Sequence, residues 1–276
     1  MNDFWDSQDP DLSPDFRELL AGHSRIPPES FCEHIKEVRA KAWEVQKYPC
    51  IGSYMFLHLS MKQHPAYPAT LDSLRSSNDA MLLDLGCCLG QDLRKLAHDG
   101  VPSEQLVGYD IEPGFFSVGY EAFRDKSHFQ ARFIAGNFLA AGVPGSAEKE
   151  QYQFIHAAYF FHLWSWRKQV EAYTKAILML KDEPGCVLFG VNTGVENARL
   201  IDDGGPFSRL DENQEYTWLH DTKSMTRMLD EVAVKTGRQL QVTVEERAII
   251  DPRTLSVQAV ADLGWTRALT FTVRTT

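Results

Sequence analysis

The stretch that decides the fold of this chain is residues 81–92, which read MLLDLGCCLGQD. An apolar run ends in an acid, Asp84, and is followed by Gly86 and Gly90 at the spacing of a tight turn. Helix-forming residues begin at Asp92, so the pattern predicts a strand, a turn and a helix in that order. In an open α/β sheet such a turn lies at the carboxyl end of a strand, where ligands bind. The stretch therefore predicts an α/β fold with a ligand-binding turn.

The turn does not match the dinucleotide-binding fingerprint G-x-G-x-x-G. When its first glycine is placed on Gly86, the fingerprint requires glycine at positions 88 and 91, where this chain has Cys88 and Gln91. The second glycine of the fingerprint lets the backbone approach a pyrophosphate, and a side chain at Cys88 obstructs that approach. NAD and FAD are therefore disfavoured, and with them a nicotinamide oxidoreductase.

The composition limits the classes of partner. The 276 residues carry a formal net charge of −10, which opposes binding to nucleic-acid phosphates. The five cysteines form no C-x-x-C pair and have no neighbouring ligand set, so we expect reduced thiols and no metal site. The N-terminus is acidic where a secretory signal is basic, and no apolar run approaches the ~18 residues of a membrane span. We expect a soluble, cytoplasmic protein.

A second acid stands at the end of the next apolar segment. Residues 106–110, LVGYD, end at Asp110, which adds a carboxylate to the acid–glycine turn described above. This order of motifs over residues 80–190 resembles the class I S-adenosylmethionine-dependent methyltransferases. Their cofactor carries an ammonium and a sulfonium and no phosphate, so a turn with few glycines and more carboxylates suits it. The resemblance implies S-adenosylmethionine as the cofactor.

Three segments make the resemblance more specific. Residues 83–92, 108–113 and 159–164 look like those of the fungal carboxyl methyltransferases of meroterpenoid pathways, a likeness that extends over nearly the whole chain. It implies a methyl ester made on a lipophilic acid, such as a farnesylated aromatic polyketide acid of secondary metabolism, and a homodimer. Arg199 and Arg209 could pair with the substrate carboxylate or simply lie at the surface. The alternatives are a hydroxyl O-methyltransferase of the same fold and a methyltransferase-like scaffold that binds without turnover.

Short apolar segments alternate with longer helical ones from Ala80 onwards, which predicts a parallel sheet with right-handed crossovers. The resemblance implies the seven-stranded Rossmann-like class I methyltransferase sheet, with five parallel strands followed by an antiparallel closing pair. We predict an N-terminal arm and helical cap over residues 1–70 and the methyltransferase domain over 71–276. The predicted strands are near 81–85, 106–110, 131–135, 152–157, 186–191, 239–247 and 268–274, and the predicted helices of this domain are near 91–98, 114–124, 166–180 and 222–236.

The segment before the sheet is predicted to be partly helical. Residues 1–28 are rich in Asp, Ser and Pro, and we expect them to be irregular apart from a helical patch at 15–20. Apolar residues recur every three or four positions over 31–45, which predicts a helix that ends before Pro49. Residues 51–61 are predicted to form a second helix. The resemblance implies that this segment covers the mouth of the cofactor and substrate cleft, although periodicity alone is equally consistent with simple packing.

The candidate cofactor-binding residues follow the first four predicted strands. Asp84 holds the methionine ammonium or caps the turn, and the Gly86 carbonyl offers an acceptor beside it. Asp110 accepts both ribose hydroxyls or caps the next helix, and Ile111 packs on the adenine. Asn137, where the family often has an acid, accepts from the adenine amine or only forms a turn. The full predicted cofactor set is Asp84, Gly86, Cys88, Gly90, Asp110, Ile111, Asn137, Phe138 and Tyr159.

The most aromatic segment, residues 157–166, follows the fourth predicted strand. In this fold the methyl acceptor meets the sulfonium there, and ring faces suit a bulky apolar acceptor or a cation. Ordinary core packing is the alternative, and for Phe160 or Phe161 it is the favoured one. His162 is the predicted catalytic residue. It orients a carboxylate acceptor by a hydrogen bond or, toward a hydroxyl acceptor, acts as a general base.

Overall fold

The computed structural model of the chain describes residues 5–140, 151–202, 211, 213–247 and 267–276. Its α-helices are α1 (Pro14–Gly22), α2 (Phe31–Val45), α3 (Pro49–Gly52), α4 (Tyr67–Ser76), α5 (Gln91–His98), α6 (Gly114–Phe123), α7 (Trp166–Met179) and α8 (Thr222–Thr236). Its strands are β1 (Leu82–Leu85), β2 (Leu106–Asp110), β3 (Arg132–Ala135), β4 (Phe154–Ala158), β5 (Val187–Gly194), β6 (Arg199–Leu200), β7 (Trp218–Leu219), β8 (Leu240–Arg247) and β9 (Arg267–Thr275). Short 3-10 helices lie at Pro28–Ser30, Met55–Leu57, Ser103–Gln105 and Phe161–Leu163.

Seven of the described strands form one sheet in the order β3-β2-β1-β4-β5-β9-β8. The strand pairs β2–β3, β1–β4 and β4–β5 are parallel, whereas β9 is antiparallel to both β5 and β8. This order confirms the predicted class I methyltransferase sheet with its antiparallel closing pair. The predicted strands and the four helices of the methyltransferase domain agree with the observed ones to within about three residues at each end.

The chain divides into two compact units. The first unit consists of Met1–Asp79 and Cys87–Gly136, and the second consists of Ala80–Gly86 and Asn137–Thr276. The first unit therefore carries α1 to α6 with β2 and β3, and the second carries β1, β4 to β9, α7 and α8. The predicted boundary near residue 70 between an arm with a cap and a methyltransferase domain stays a prediction.

The first unit has a core built largely from its helices. The apolar stripe predicted for α2 is buried at Phe31, Ile35, Val38 and Ala42. A Cβ at Gly114, the first residue of α6, would lie 2.8 Å from Val45, so the start of α6 approaches the end of α2 closely. The helical patch expected in the N-terminal arm is α1, which begins behind the N-cap Ser13 and buries Phe16, Leu19 and Leu20. The arm therefore contributes to this core.

The second helix predicted over residues 51–61 is wrong. The chain makes only the single turn α3 there, and Tyr54 then adopts a left-handed conformation with φ of 60° before a 3-10 helix. The Gly52 carbonyl accepts from the Asp6 backbone N–H and from the Arg39 guanidinium, so tertiary partners replace the helical one. Apolar content without a helical period misled the prediction, because apolar side chains are buried along much of this segment.

Helix α4 was not predicted, because the prolines around it read as helix breakers. Pro68 occupies the first turn of α4, where a missing N–H costs nothing and the fixed φ favours the helix. Tyr67, Thr70 and Leu74 of this helix are buried. Across the part of the chain that the structure describes, no helix combines the length and the apolar character needed to cross a membrane.

Candidate active site

In the first unit, the turn of residues 87–90 is tied to strand β2. The Cys87 N–H donates to the Tyr109 carbonyl at 3.1 Å, and the Cys88 N–H donates to Asp110 Oδ2 at 2.8 Å. Cys88 and Gly90 both have left-handed backbones, with φ of 51° and 69°. Cys87 is buried, as expected for a small residue between strand and helix, whereas Cys88 is half-buried. In a dinucleotide-binding turn such N–H groups face a pyrophosphate. Here the Cys88 N–H donates to a carboxylate instead.

Asp110 ends β2 with its carboxylate almost fully buried, at 8% exposure. In addition to the Cys88 N–H, it accepts the Glu112 N–H at Oδ1 at 3.1 Å. It does not cap α6, because the N-cap position of that helix is Pro113 and no side-chain bond caps it. Carboxylate oxygens have about four acceptor sites between them, so Asp110 can also accept from ribose hydroxyls. Ile111 beside it is 53% exposed, which leaves an apolar surface next to the acid.

The segment before β1 approaches Asp110 within the same unit. Burial and, second, the negative charge of Asp110 raise the pKa of the Cys50 thiol to about 12. Tyr48, just before α3, has its ring centroid 6.1 Å from that of Phe115 in α6. Helix α3 therefore lies on the side of the first unit where β2 ends, and its role as a cap stays a prediction.

In the second unit, Asp84 is paired with a histidine. Asp84 of β1 is in register with His156 of β4, and Asp84 Oδ1 lies 2.7 Å from His156 Nδ1. Both side chains are buried, at 3% and 1% exposure. His156 was not predicted as a site residue, although one polar residue inside the apolar run Phe154–Ala158 was a usable signal. The pair fixes the orientation of the Asp84 carboxylate.

Gly86 is required at its position on two grounds. Its φ is +72°, and a Cβ there would lie 2.8 Å from the Phe160 ring. The Phe160 ring in turn lies 5.6 Å from Phe138 and 5.0 Å from Trp164, centroid to centroid. Gly86 therefore lies directly against the aromatic segment, in the same unit.

In the loop after β3, Asn137 forms a turn, which was the alternative to its predicted role in binding the adenine. Asn137 is exposed, and its Oδ1 accepts the Leu139 N–H at 3.1 Å. Phe138 is buried, and its carbonyl accepts from Lys175 Nζ in α7. The ammonium of Lys175 also lies 4.9 Å from the Phe138 ring centroid. The adenine-binding role of Asn137 and Phe138 stays a prediction.

His162 is buried within the aromatic segment, at 6% exposure. Burial lowers its pKa to about 4, and a hydrogen bond with the Asn192 side chain opposes that effect only in part. The Asn192 side-chain amide donates to the Tyr173 hydroxyl at 2.8 Å. Asn192 and Tyr173 were not predicted as site residues, because the sequence of β5 and α7 indicated only a strand and a helix. Asn192 therefore contacts the imidazole, and Tyr173 holds Asn192 in place.

Tyr159 and Phe161 flank this histidine differently. Tyr159 has a left-handed backbone with φ of 51°, and its ring centroid lies 6.1 Å from that of His162. Burial raises the pKa of the Tyr159 phenol to about 12. Phe161 is fully buried and stacks on Tyr173 at 3.7 Å, as core packing predicts.

Of the two arginines considered for the substrate carboxylate, Arg199 lies exposed in β6, and Arg209 lies outside the described residues.

The donors and acceptors described above fit S-adenosylmethionine better than a dinucleotide. The ammonium and the ribose hydroxyls of that cofactor need acceptors, and Asp84 and Asp110 provide buried carboxylates at the ends of β1 and β2. A pyrophosphate would instead need the backbone N–H groups of the turn, and the Cys88 N–H already donates to Asp110.

Comparison with known proteins agrees with this chemistry. Two family models match, a meroterpenoid methyltransferase N-terminal domain over residues 4–57 and a methyltransferase domain over residues 82–183. The O-methyltransferase phiE of Fungal sp. (strain ATCC 74256) is 38% identical over 231 residues, which cover 83% of this chain and 74% of that protein. The asnovolin E/chermesin D methyltransferase nvfJ of Aspergillus novofumigatus is 33% identical over 227 residues, covering 82% and 78% of the two chains.

Solved structures show the same fold at low identity. The CurJ carbon methyltransferase matches with a TM-score of 0.53 and 14% identity, covering 94% of this chain and 66% of that one. The 1,6-didemethyltoxoflavin-N1-methyltransferase of Burkholderia thailandensis matches with a TM-score of 0.50 and 12% identity, covering 98% and 97% of the two chains. Fold and site chemistry thus define a class I methyltransferase whose cofactor is S-adenosylmethionine. The chain belongs to the family of fungal meroterpenoid O-methyltransferases.

Proposed function

We propose that this chain makes a methyl ester on the carboxylate of a lipophilic small molecule, such as a farnesylated aromatic polyketide acid in meroterpenoid biosynthesis. The observation that carries this proposal is the setting of His162, which is buried among aromatic rings and hydrogen-bonded to Asn192. An imidazole with a pKa of about 4 is a weak acceptor for the proton of a phenol, whose ordinary pKa is about 10. A carboxylic acid is already ionised above about pH 5 and needs no base.

The lipophilic character of the acceptor is inferred from the surface of the aromatic segment. Tyr159, Phe160 and Trp164 are half-buried, and Leu163 is 41% exposed. Partly exposed rings next to one buried polar group are typical of a pocket that binds an apolar body and orients one polar group. His162 is that group, and its role is to orient the acceptor by a hydrogen bond.

The proposed cofactor-binding residues are given for each unit by itself. Asp110 of the first unit accepts the ribose hydroxyls, and Ile111 covers the adenine. Asp84 of the second unit, oriented by His156, accepts the methionine ammonium. When bound, S-adenosylmethionine would supply the methyl group of its sulfonium to an ionised acceptor oxygen. Because this step cancels charge, the residues of the chain need only align the reactants and exclude water.

The test uses S-adenosylmethionine with an isotopically labelled methyl group and a farnesylated hydroxybenzoic acid. The matched control acceptor is the carboxamide of the same molecule, which keeps the phenol and removes the acid. We expect label in the acid only, and release of that label as methanol by mild alkali, because an ester hydrolyses and an aryl ether does not. Base-stable label in both acceptors would establish the hydroxyl O-methyltransferase instead. Binding of S-adenosylhomocysteine without transfer to any acid tested would favour the scaffold.

The homodimer is proposed on the resemblance alone, and the N-terminal helical segment is its proposed contact. Light scattering coupled to gel filtration measures the mass directly. A mass near twice the 31.3 kDa of the chain is the expected result, and a mass equal to that of one chain would exclude the dimer.

A further inference from the structure

A fully buried guanidinium holds one end of the turn of residues 87–90. Arg94, in the first turn of α5, is 0% exposed. Its Nη1 donates to the Leu89 carbonyl at 2.6 Å and to the Gly90 carbonyl at 3.3 Å. A Cβ at Gly90 would lie 2.8 Å from the same nitrogen, so the backbone and the guanidinium are in direct contact. Arg94 therefore fixes the carbonyl end of a turn whose N–H end meets the Asp110 carboxylate.

The charge of Arg94 is balanced by an acid that is just as deeply buried. Asp125 is 0% exposed and accepts from Arg94 Nε at 2.7 Å and from Nη2 at 3.1 Å. Burial alone would raise the pKa of Asp125, but hydrogen bonds from His23 and Arg94 outweigh it and hold this pKa below its ordinary value. A bidentate pair of this kind fixes both partners in one orientation.

The third member comes from the N-terminal arm. His23 directly follows α1, and its Nε2 lies 2.9 Å from Asp125 Oδ2. The chain of contacts therefore runs from the end of α1 through Asp125 and Arg94 to the turn, entirely within the first unit. Loss of one member leaves buried charge with one partner fewer, and the remaining groups must reorient.

We propose that His23, Asp125 and Arg94 form a buried relay that positions the turn of residues 87–90 for S-adenosylmethionine, so that cofactor affinity depends on α1. The three are positioning residues, because they act through the turn and not on the cofactor. The inference rests on the proposed assignment of this turn to the cofactor. It is independent of which group of the acceptor is methylated.

The first experiment compares two histidines that link α1 to other parts of its unit. His23→Leu removes a relay member, whereas the matched control His98→Leu removes a histidine whose Nε2 lies 3.4 Å from Glu18 of α1. Calorimetry with S-adenosylhomocysteine is done well below the melting temperature of each variant. We expect about tenfold weaker binding in His23→Leu, the scale of a lost charged hydrogen bond, and a change of less than about twofold in His98→Leu. His23→Gln, which restores a donor, should recover most of the affinity.

Kinetics separate positioning from general stability. In His23→Leu we expect the KM for S-adenosylmethionine to rise while kcat stays within about twofold, since only cofactor binding is affected. Equal affinity in His23→Leu and His98→Leu would overturn the relay. Asp110→Ala serves as the reference variant. If it too binds as the wild type does, the assignment of the turn is wrong; if it weakens binding while His23→Leu does not, only the relay is wrong.

A measurement on the unaltered protein covers the case in which a variant does not fold. If α1 affects cofactor affinity, then the cofactor must stabilise α1 by the same free energy. Saturating S-adenosylhomocysteine should therefore slow amide hydrogen exchange in α1 more than in α4, a helix of the same unit outside the relay. Equal protection of α1 and α4 would overturn the proposal.

Discussion

The two units carry chemically different sets of site residues. In the first unit the set is charged, with Asp110 on backbone N–H groups and Arg94 paired with Asp125. In the second unit the residues around the aromatic segment are neutral, because burial lowers the pKa of His162 and raises that of Tyr159. The charged set suits a polar cofactor, for which the second unit also offers Asp84, and the neutral aromatic segment suits a lipophilic acceptor. Donor binding and acceptor binding can therefore be changed separately.

The largest expected effect is on cofactor binding by the first unit. Asp110→Ala should weaken S-adenosylhomocysteine binding by about 1.5–3 kcal/mol, because hydrogen bonds to a charged acceptor are lost. Calorimetry measures the change, with Glu112→Ala as a control that removes the neighbouring acid. If Asp110→Ala binds S-adenosylhomocysteine as tightly as the wild type does, Asp110 is not part of the cofactor site, and the charged set of the first unit no longer differs in function from the neutral set of the second.

A second expected effect is on the pH dependence of the free energy of unfolding, which tests whether His162 of the second unit is neutral. The pKa of His162 is about 4 in the folded chain against 6.5 ordinarily, so between these values the unfolded state binds more protons. The free energy of unfolding must then fall as the pH is lowered from about 6.5 to 4, by up to ~1.4 kcal/mol per pH unit. Urea titrations at several pH values measure this slope. It should be shallower in His162→Gln and unchanged in His128→Gln, an exposed control. An equal slope in both variants would show that His162 titrates normally.

The smallest expected effect is on the rate of methyl transfer. His162→Gln keeps a hydrogen-bond donor, so kcat should stay within about tenfold of the wild-type value. Both proteins should show a flat kcat from about pH 6 to 8, because a histidine of pKa about 4 and an acid acceptor do not titrate in that range. His220→Gln, another buried histidine with a pKa lowered to about 3, controls for destabilisation. An acid limb near pH 6.5 that disappears in His162→Gln would favour the hydroxyl acceptor.

Much of the fold could be predicted because its signals are local. Strands β1 and β2 are short apolar runs that carry an acid at or next to their last residue, and such runs can be recognised without knowing their partners in the sheet. The break after α3 was not predictable in this way, since it depends on Arg39 reaching the Gly52 carbonyl. Prediction from local sequence also failed at α4, because Pro68 in its first turn was interpreted as a residue that ends a helix.

The candidate site acids could be named from the sequence, and their cofactor roles stay predictions, but the side chains that hold them were not predicted. Asp84 and Asp110 stand in recognisable motifs, but His156 is separated from Asp84 by 72 residues, and Asp125 from Arg94 by 31. A lone arginine in a helix reads as a surface residue, and its burial shows only when the folded chain brings an acid to it. The left-handed backbone of Cys88 was likewise hidden, because an L residue seldom adopts it and no glycine marks it.

The discontinuous composition of the two units has a consequence for the order of events on the ribosome. Residues 80–86 belong to the second unit, yet they are translated before Cys87–Gly136, which completes the first. Strand β1 must therefore wait for its partner β4 while the first unit already has its whole chain. During that interval the edge of β1 that pairs with β4 is available to other nascent chains, the kind of surface that chaperones bind. Slow translation between Gly136 and Phe154 would lengthen this exposure and lower the yield of soluble enzyme.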